Sequence, residues 1–365
     1  MSNLLITIFF NVPICVVKYI FDNFLDTESI ISLGRTCNFF HKIKIKIELK
    51  DFYNLNYQSL NKLDDNILRK YSYITKLNAV ENKNITDDLF LNGHLSNLEV
   101  LNVSGIHCAI TNEAIKKCSK LKVLKMGENT KIKHISHLTN LEELHATWYN
   151  SHINNNSLKP LTKLRKLNIC NNSNITDINH LIYLEELNAQ WYNCGISNNS
   201  IKNCTNLKKL NICSNINITD INHLINLEEL DASDKSKLNN YSLRLCTNLK
   251  KLNIGSNINI TDINYLINLE ELIISCGGLG ECGINDNGFK MCTRLRKLNA
   301  DYNWKIKDIN HLVNLEELNA SSIDENNQSG IDEKSIQNCS KLKKITAYNN
   351  VKLHSLTNKN IVIKF

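Results

Sequence analysis

Between Leu121 and Asn350 one phrase returns six times: LKVLKMGEN from Leu121, LRKLNICNN from Leu164, LKKLNICSN from Leu207, LKKLNIGSN from Leu249, LRKLNADYN from Leu295 and LKKITAYNN from Leu342. Between these copies stands LEEL, opening at Leu141, Leu184, Leu227, Leu269 and Leu315. No other feature constrains the fold as strongly. A single unit of this length cannot bury its apolar face alone, so the units must stack on one another.

The second leucine of each phrase marks a core strand: Leu124, Leu144, Leu167, Leu187, Leu210, Leu230, Leu252, Leu272, Leu298, Leu318 and Ile345, with Leu77 and Leu101 as weaker early copies. Steps of 20 residues alternate with steps of 22 to 27. Strand side chains alternate faces, so Leu167 and Ile169 point inward while Lys166, Asn168 and Cys170 point outward. The pattern is that of a leucine-rich repeat solenoid. This α/β class is a horseshoe with a parallel sheet on its concave face, expected here over residues 74–365 with about twelve strands.

A solenoid grows in one dimension, so 365 residues need not be divided among several cores. Thirteen cysteines, an odd number in a chain too long to need disulfide staples, predict a reducing, intracellular and cytoplasmic setting, and nothing separates cytoplasm from nucleus. The net charge of +7 comes from lysines interleaved with acids. Without a clustered basic stripe, nucleic acid is not an expected partner. The apolar stretch Leu4 to Phe10 is too short to span a bilayer and lacks a basic flank and a cleavage site, so neither a membrane span nor a signal peptide is expected.

Ahead of the repeats the pattern changes. After Pro13, suited to a first helical turn, Val16, Val17, Ile20, Phe21 and Phe24 recur at helical spacing. Asp26 or Thr27 can cap a second helix carrying Ile30, Leu33, Cys37 and Phe40. These residues resemble the F-box, the helical module that docks a substrate receptor onto the Skp adaptor of a cullin-RING ubiquitin ligase. Pro13, Val16, Val17, Ile20, Phe21, Phe24, Leu25 and Leu33 are the positions that would meet the adaptor. The match covers residues 12–45, roughly a tenth of the chain, between an N-terminal segment 1–11 and a helical connector 46–73. It departs in two places: Cys15 stands where an acid is usual, and the Leu25-Asp26 break comes one residue late. Without the resemblance, residues 12–45 read equally as a helical cap on the open end of the solenoid.

Taken together, the two parts imply a non-enzymatic substrate receptor that binds Skp, through it a cullin, and an unknown target protein on the concave wall. The alternatives are an adaptor-independent scaffold or inhibitor, a repeat subunit regulating an enzyme, and an enzyme with titratable groups gathered in a pocket. No cofactor or metal is expected. Cys118, Cys204, Cys246, Cys292 and Cys339 precede the opening leucines at a fixed place, too far apart for one zinc ion, and read as buried small hydrophobes. His137, His180, His223 and His311, with Tyr265 in one copy, read as turn or packing elements, not catalysts. Asp177, Asp220, Asp262 and Asp308 read as acceptors for local backbone donors. Lys166, Glu186, Lys209, Glu229, Lys251, Glu271, Lys297, Glu317 and Lys344 alternate in sign from strand to strand and read as register-fixing pairs.

Recognition is expected where the period breaks. One residue before the end of each phrase the column runs Glu128, Trp148, Asn171, Trp191, Ser214, Asp234, Ser256, Cys276, Tyr302, Ser322 and Asn349. Trp148 and Trp191, each in a Trp-Tyr-Asn triplet and two strands apart, are candidate target anchors, because exposed aromatics dominate interface energetics. The surface near Tyr302 and Tyr348 is a further candidate, and the Gly277 to Asn287 insertion and the Asp324 to Gly330 loop offer a weaker one.

Overall fold

A three-residue strand forms wherever the phrase recurs. A computed structural model describes residues 51–52, 61–71, 73–277, 281–324, 329–354, 356 and 361–364. The F-box-like segment and its eight adaptor-facing positions, Pro13, Val16, Val17, Ile20, Phe21, Phe24, Leu25 and Leu33, lie outside the described residues. Two compact units are present, one ending at Lys163 and the other beginning at Leu164.

The first unit runs β1 (Asp51–Phe52), α1 (Asp65–Leu68), β2 (Lys76–Asn78), α2 (Asp87–Leu91), β3 (Val100–Asn102), α3 (Asn112–Ile115), β4 (Val123–Lys125), β5 (Glu143–His145) and α4 (Asn155–Leu158). Its strands pair in parallel and in sequence order, with Leu77 beside Leu101, Leu101 beside Leu124, and Leu124 beside Leu144. The second unit holds β6 (Lys166–Asn168), β7 (Glu186–Asn188), β8 (Lys209–Asn211), β9 (Glu229–Asp231), β10 (Lys251–Asn253), β11 (Glu271–Ile273), β12 (Lys297–Asn299), β13 (Glu317–Asn319), β14 (Lys344–Thr346) and β15 (Val362–Lys364). These too are parallel and consecutive, stacking Leu167, Leu187, Leu210, Leu230, Leu252, Leu272, Leu298, Leu318, Ile345 and Ile363. Each unit is a stretch of leucine-rich-repeat solenoid. A helix of four or five residues or a 3-10 turn fills several of the connections.

The core is a set of ladders. Leu121, Leu124, Leu207, Leu210, Ile212 and their equivalents are buried, and truncating one to alanine costs about 2–5 kcal/mol. The asparagines that end the phrases are buried as well. Asn215 donates Nδ2 to the carbonyl of Ala189 at 2.8 Å and accepts the N–H of Asn217 on Oδ1 at 2.8 Å. Asn257 and Asn350 repeat the arrangement. Each carboxamide thereby satisfies backbone groups where the chain leaves the sheet, a place in which neither strand nor helix can do so.

The outer turns match their expected chemistry. Asp177, Asp220, Asp262 and Asp308 accept the N–H two residues on, at 2.9–3.0 Å. His137 and His223 meet the carbonyls of Ile115 and Ile201 at 3.1 Å, and Tyr265 donates to Asn240 O at 2.9 Å. His311 packs instead against Phe289, with ring centroids 5.2 Å apart.

The cysteine ladder is buried. Cys204, Cys246 and Cys292 point Sγ at the carbonyls of Ile178, Ile221 and Ile263 at 3.4–3.6 Å, and burial pushes each thiol up to about 12. At pH 8 these groups stay protonated and enclosed. Iodoacetamide should leave them unmodified in the native chain and label them once urea is added; rapid labelling of the native chain would show that the ladder is not core.

Three details depart from expectation. The connector over 46–73 is not simply helical, for it holds β1, in which Phe52 pairs beside Leu77 and packs on Tyr71 at 5.1 Å. The strands also outnumber the phrases, because Val362–Lys364 forms β15 without a leucine marker. Finally, Cys276 and Cys282 are joined by a disulfide, S–S 2.04 Å, within a chain whose length predicted no need of one. Their Cα atoms lie 5.4 Å apart. Gly283 follows, passing the preceding turn so closely that a Cβ would lie 2.2 Å from Ile260 O.

Candidate functional site

On the outward face of the sheet the charges cancel locally. Lys166 lies 2.9 Å from Glu186, Lys209 3.2 Å from Glu229, Lys251 3.5 Å from Glu271, Lys297 3.3 Å from Glu317 and Lys344 3.5 Å from Glu317. The alternating column is thus internally paired. Exposed pairs of this kind add solubility and register more than stability.

One column further along the strand stand Asn168, Asn188, Asn211, Asp231 and Asn253, which the register places directly beside one another. Each accepts the N–H two residues on, at 3.0–3.3 Å. Their Oδ1 atoms are therefore committed to ending their own strands.

Beyond them the strand turns, and the turn has a conformational demand. In the asparagine-ended phrases it closes through an N–H to C=O bond three residues back, as from Asn215 to Ile212 at 2.9 Å, and its third residue takes positive φ. Glu128, Trp148, Asn171, Trp191, Ser214, Asp234, Ser256, Tyr302 and Asn349 all lie between φ 56° and 81°. Glycine and asparagine adopt this region readily; a bulky residue there is an outlier, costing about 1–2 kcal/mol. The two tryptophans carry the largest non-glycine values, 81° for Trp148 and 76° for Trp191.

Neither indole is core. Trp148 is 43% exposed and Trp191 49%, and the neighbouring Tyr149 and Tyr192 are exposed further. Trp148 belongs to the first unit and Trp191 to the second. In the second unit the Trp191 indole N–H reaches the Cys170 thiol, and Trp191 N donates to Cys213 O at 2.9 Å. Burial pushes both thiols up, Cys213 to about 11 with the Asp234 carboxylate 3.1 Å away adding to the effect. They are protonated at neutral pH and poor nucleophiles. Of the other two candidate anchors, Tyr348 is exposed and Tyr302 half-buried.

On the outer side of the second unit a depression of about 560 Å³ is lined by Asp286, Lys290, Trp304, Asp308 and His311 among others. Its Asp286 accepts the N–H groups of Lys307 and Asp308 at 2.7 and 3.2 Å and serves as a backbone cap. Among the described residues no three His, Cys, Asp or Glu side chains gather as a metal site, and no helix is long and apolar enough to cross a membrane.

What sequence reasoning missed is the strain, which no residue type announces, and the single direction in which the sheet-face carboxamides remain available.

No protein-family model matches the sequence, and no curated protein matches it. Among solved structures it is similar to an internalin (inlF) from Listeria monocytogenes, at 22% identity and TM-score 0.44 over 80% of this chain and 87% of that one. A functional domain of InlJ from Listeria monocytogenes, described as including a cysteine ladder, shares 18% identity at TM-score 0.48 over 77% and 70%. The Rad7 and Elc1 complex in yeast gives 16% identity and TM-score 0.49 over 100% and 97%. The fold class rests on the strand and leucine ladders themselves: parallel strands in chain order with little helix, a leucine-rich-repeat solenoid.

Proposed function

We propose that the chain is a non-enzymatic protein receptor that holds a target on the sheet face of its repeats. One observation carries the reading. The backbone bears positive φ under Trp148 and Trp191 while leaving both indoles exposed, a cost that packing does not explain and that binding would. The Lys–Glu column beside them is paired within itself.

Within that reading, residues 12–45 dock the Skp adaptor and the repeats present the target to a cullin-RING ligase, whose catalytic groups belong to other subunits. Support for this finer step is the Pro13 to Phe40 pattern and its position ahead of the repeats. Deleting residues 1–50 should abolish capture of purified Skp adaptor while circular dichroism and the melting transition of the repeats persist. Adaptor capture that survives the deletion would leave an adaptor-independent receptor.

A further inference from the structure

Resting on the reading of the sheet face as a receptor, we propose that the Asn168, Asn188 and Asn211 carboxamides form a donor ladder that receives the main chain of a polyproline II segment of the partner, with Trp191 holding one of its apolar side chains.

The three carboxamides have only one half left to offer. Each spends Oδ1 on the N–H two residues on, at 3.1, 3.3 and 3.0 Å, so its orientation is set by its own strand. Each Nδ2 donates to no group among the described residues. The result is three oriented donors in register on adjacent strands β6, β7 and β8. On β9 the column changes sign of purpose. Asp231 stands there, its oxygens taken by Ser233 Oγ at 2.6 Å and Asn253 Nδ2 at 3.0 Å. The ladder of free donors ends at that strand.

A surface offering donors selects a partner offering acceptors. The flanking charges are already paired, Lys166 with Glu186 at 2.9 Å and Lys209 with Glu229 at 3.2 Å, so the acceptors it selects are uncharged ones. Main-chain carbonyls are uncharged, repeat at fixed intervals and are unpaired in a polyproline II segment. Spacing then chooses between conformations. Adjacent strands lie about 4.8 Å apart, so alternate carboxamides are separated by about 9.6 Å. Three residues of polyproline II advance about 9.3 Å and bring equivalent carbonyls back to the same side. An extended β segment repeats every two residues, about 6.8 Å, and falls out of step with the ladder. Exposed aromatic side chains are the usual companions of polyproline II docking, and Trp191 with Tyr192 stands at the end of the central strand.

Asn168→Asp and Asn211→Asp isolate the two donors that fall in step. Asp231 shows that an aspartate at this column keeps the same cap, accepting Ser233 N at 3.1 Å, so the substitution preserves the turn while replacing the Nδ2 donor with a charged carboxylate oxygen. The probe is a phage-displayed library of random dodecapeptides selected on the full chain, with enriched peptides resynthesised and their Kd read by fluorescence anisotropy. Enriched peptides should carry proline or apolar residues at intervals of three. They should bind Asn168→Asp and Asn211→Asp, the alternate donors, at least tenfold more weakly, and Asn319→Asp, outside the ladder, with unchanged Kd. Failure to enrich any peptide, enrichment of peptides indifferent to Asn168→Asp and Asn211→Asp, or neutral oligosaccharides binding the face where peptides do not, would each overturn the proposal. A protein partner weakened by Trp191→Asn yet indifferent to Asn168→Asp and Asn211→Asp would remove the ladder and leave the receptor reading standing.

Discussion

Replacing Trp191 with asparagine should raise the stability of the chain while abolishing its hold on the target. The position sits at φ 76°, in a column where the fold already places Asn171 at 58° and Asn349 at 57°. Asparagine tolerates that conformation, so relief of the backbone is worth about 1 kcal/mol, less whatever the half-exposed indole contributes over Cys170. Binding moves the other way. An exposed aromatic anchor contributes about 2–4 kcal/mol to an interface, a loss of roughly thirtyfold or more in affinity. Trp148→Asn should behave in the same sense in the first unit. Under the proposed function, in which residues 12–45 would dock the adaptor, adaptor capture should be unaffected. Urea melts and target titrations on each variant separate the outcomes: a fall in stability of 2 kcal/mol or more with affinity intact would make the indole a packing element, and the surface around Tyr302 and Tyr348 the better candidate.

The largest expected effect on folding belongs to a polar residue. Asn215→Leu keeps the branched shape of a fully buried side chain, with somewhat more bulk, and deletes its hydrogen bonds to Ala189 O and from Asn217 N. Each backbone group left buried without a partner costs about 1–3 kcal/mol, so the substitution should destabilise the chain by about 2–6 kcal/mol. That rivals a leucine-to-alanine change in the same ladder. Asn226→Leu, which removes a 3.0 Å bond to Thr205 O on the exposed outer turn, should cost less than about 1 kcal/mol because water replaces the lost donor. Chemical denaturation of the pair tests the reasoning directly. Equal losses would mean that burial of the carboxamide is not what makes it structural.

These two variants also mark where sequence reading succeeded and where it stopped. Asn215 is one of the six asparagines that end the phrases, and the same residue at the same step in successive copies must be answering the same backbone need. The leucine ladder, the buried cysteines, the Lys–Glu pairs and the aspartate turns were legible for the same reason, since a side chain that recurs with the backbone reports on the backbone. Trp191 was legible only as an interruption. Its exposure and its positive φ come from the turn at the strand end, and nothing in the residue type reveals either.

By itself the sequence determined that a stack of parallel strands forms, which residues line its interior and which columns face outward, because two periods, that of the strand and that of the repeat, are written in the spacing of leucines. Tertiary structure alone decided the rest. It set β1 and β15 beside strands that carry the phrase, drew Cys276 to Cys282 across an insertion, and divided the chain at Lys163. It also spent the Oδ1 atoms of Asn168, Asn188 and Asn211 on their own strands, leaving three donors facing out. A carboxamide is donor and acceptor alike in the sequence; which half remains for a partner depends on where its own backbone turns.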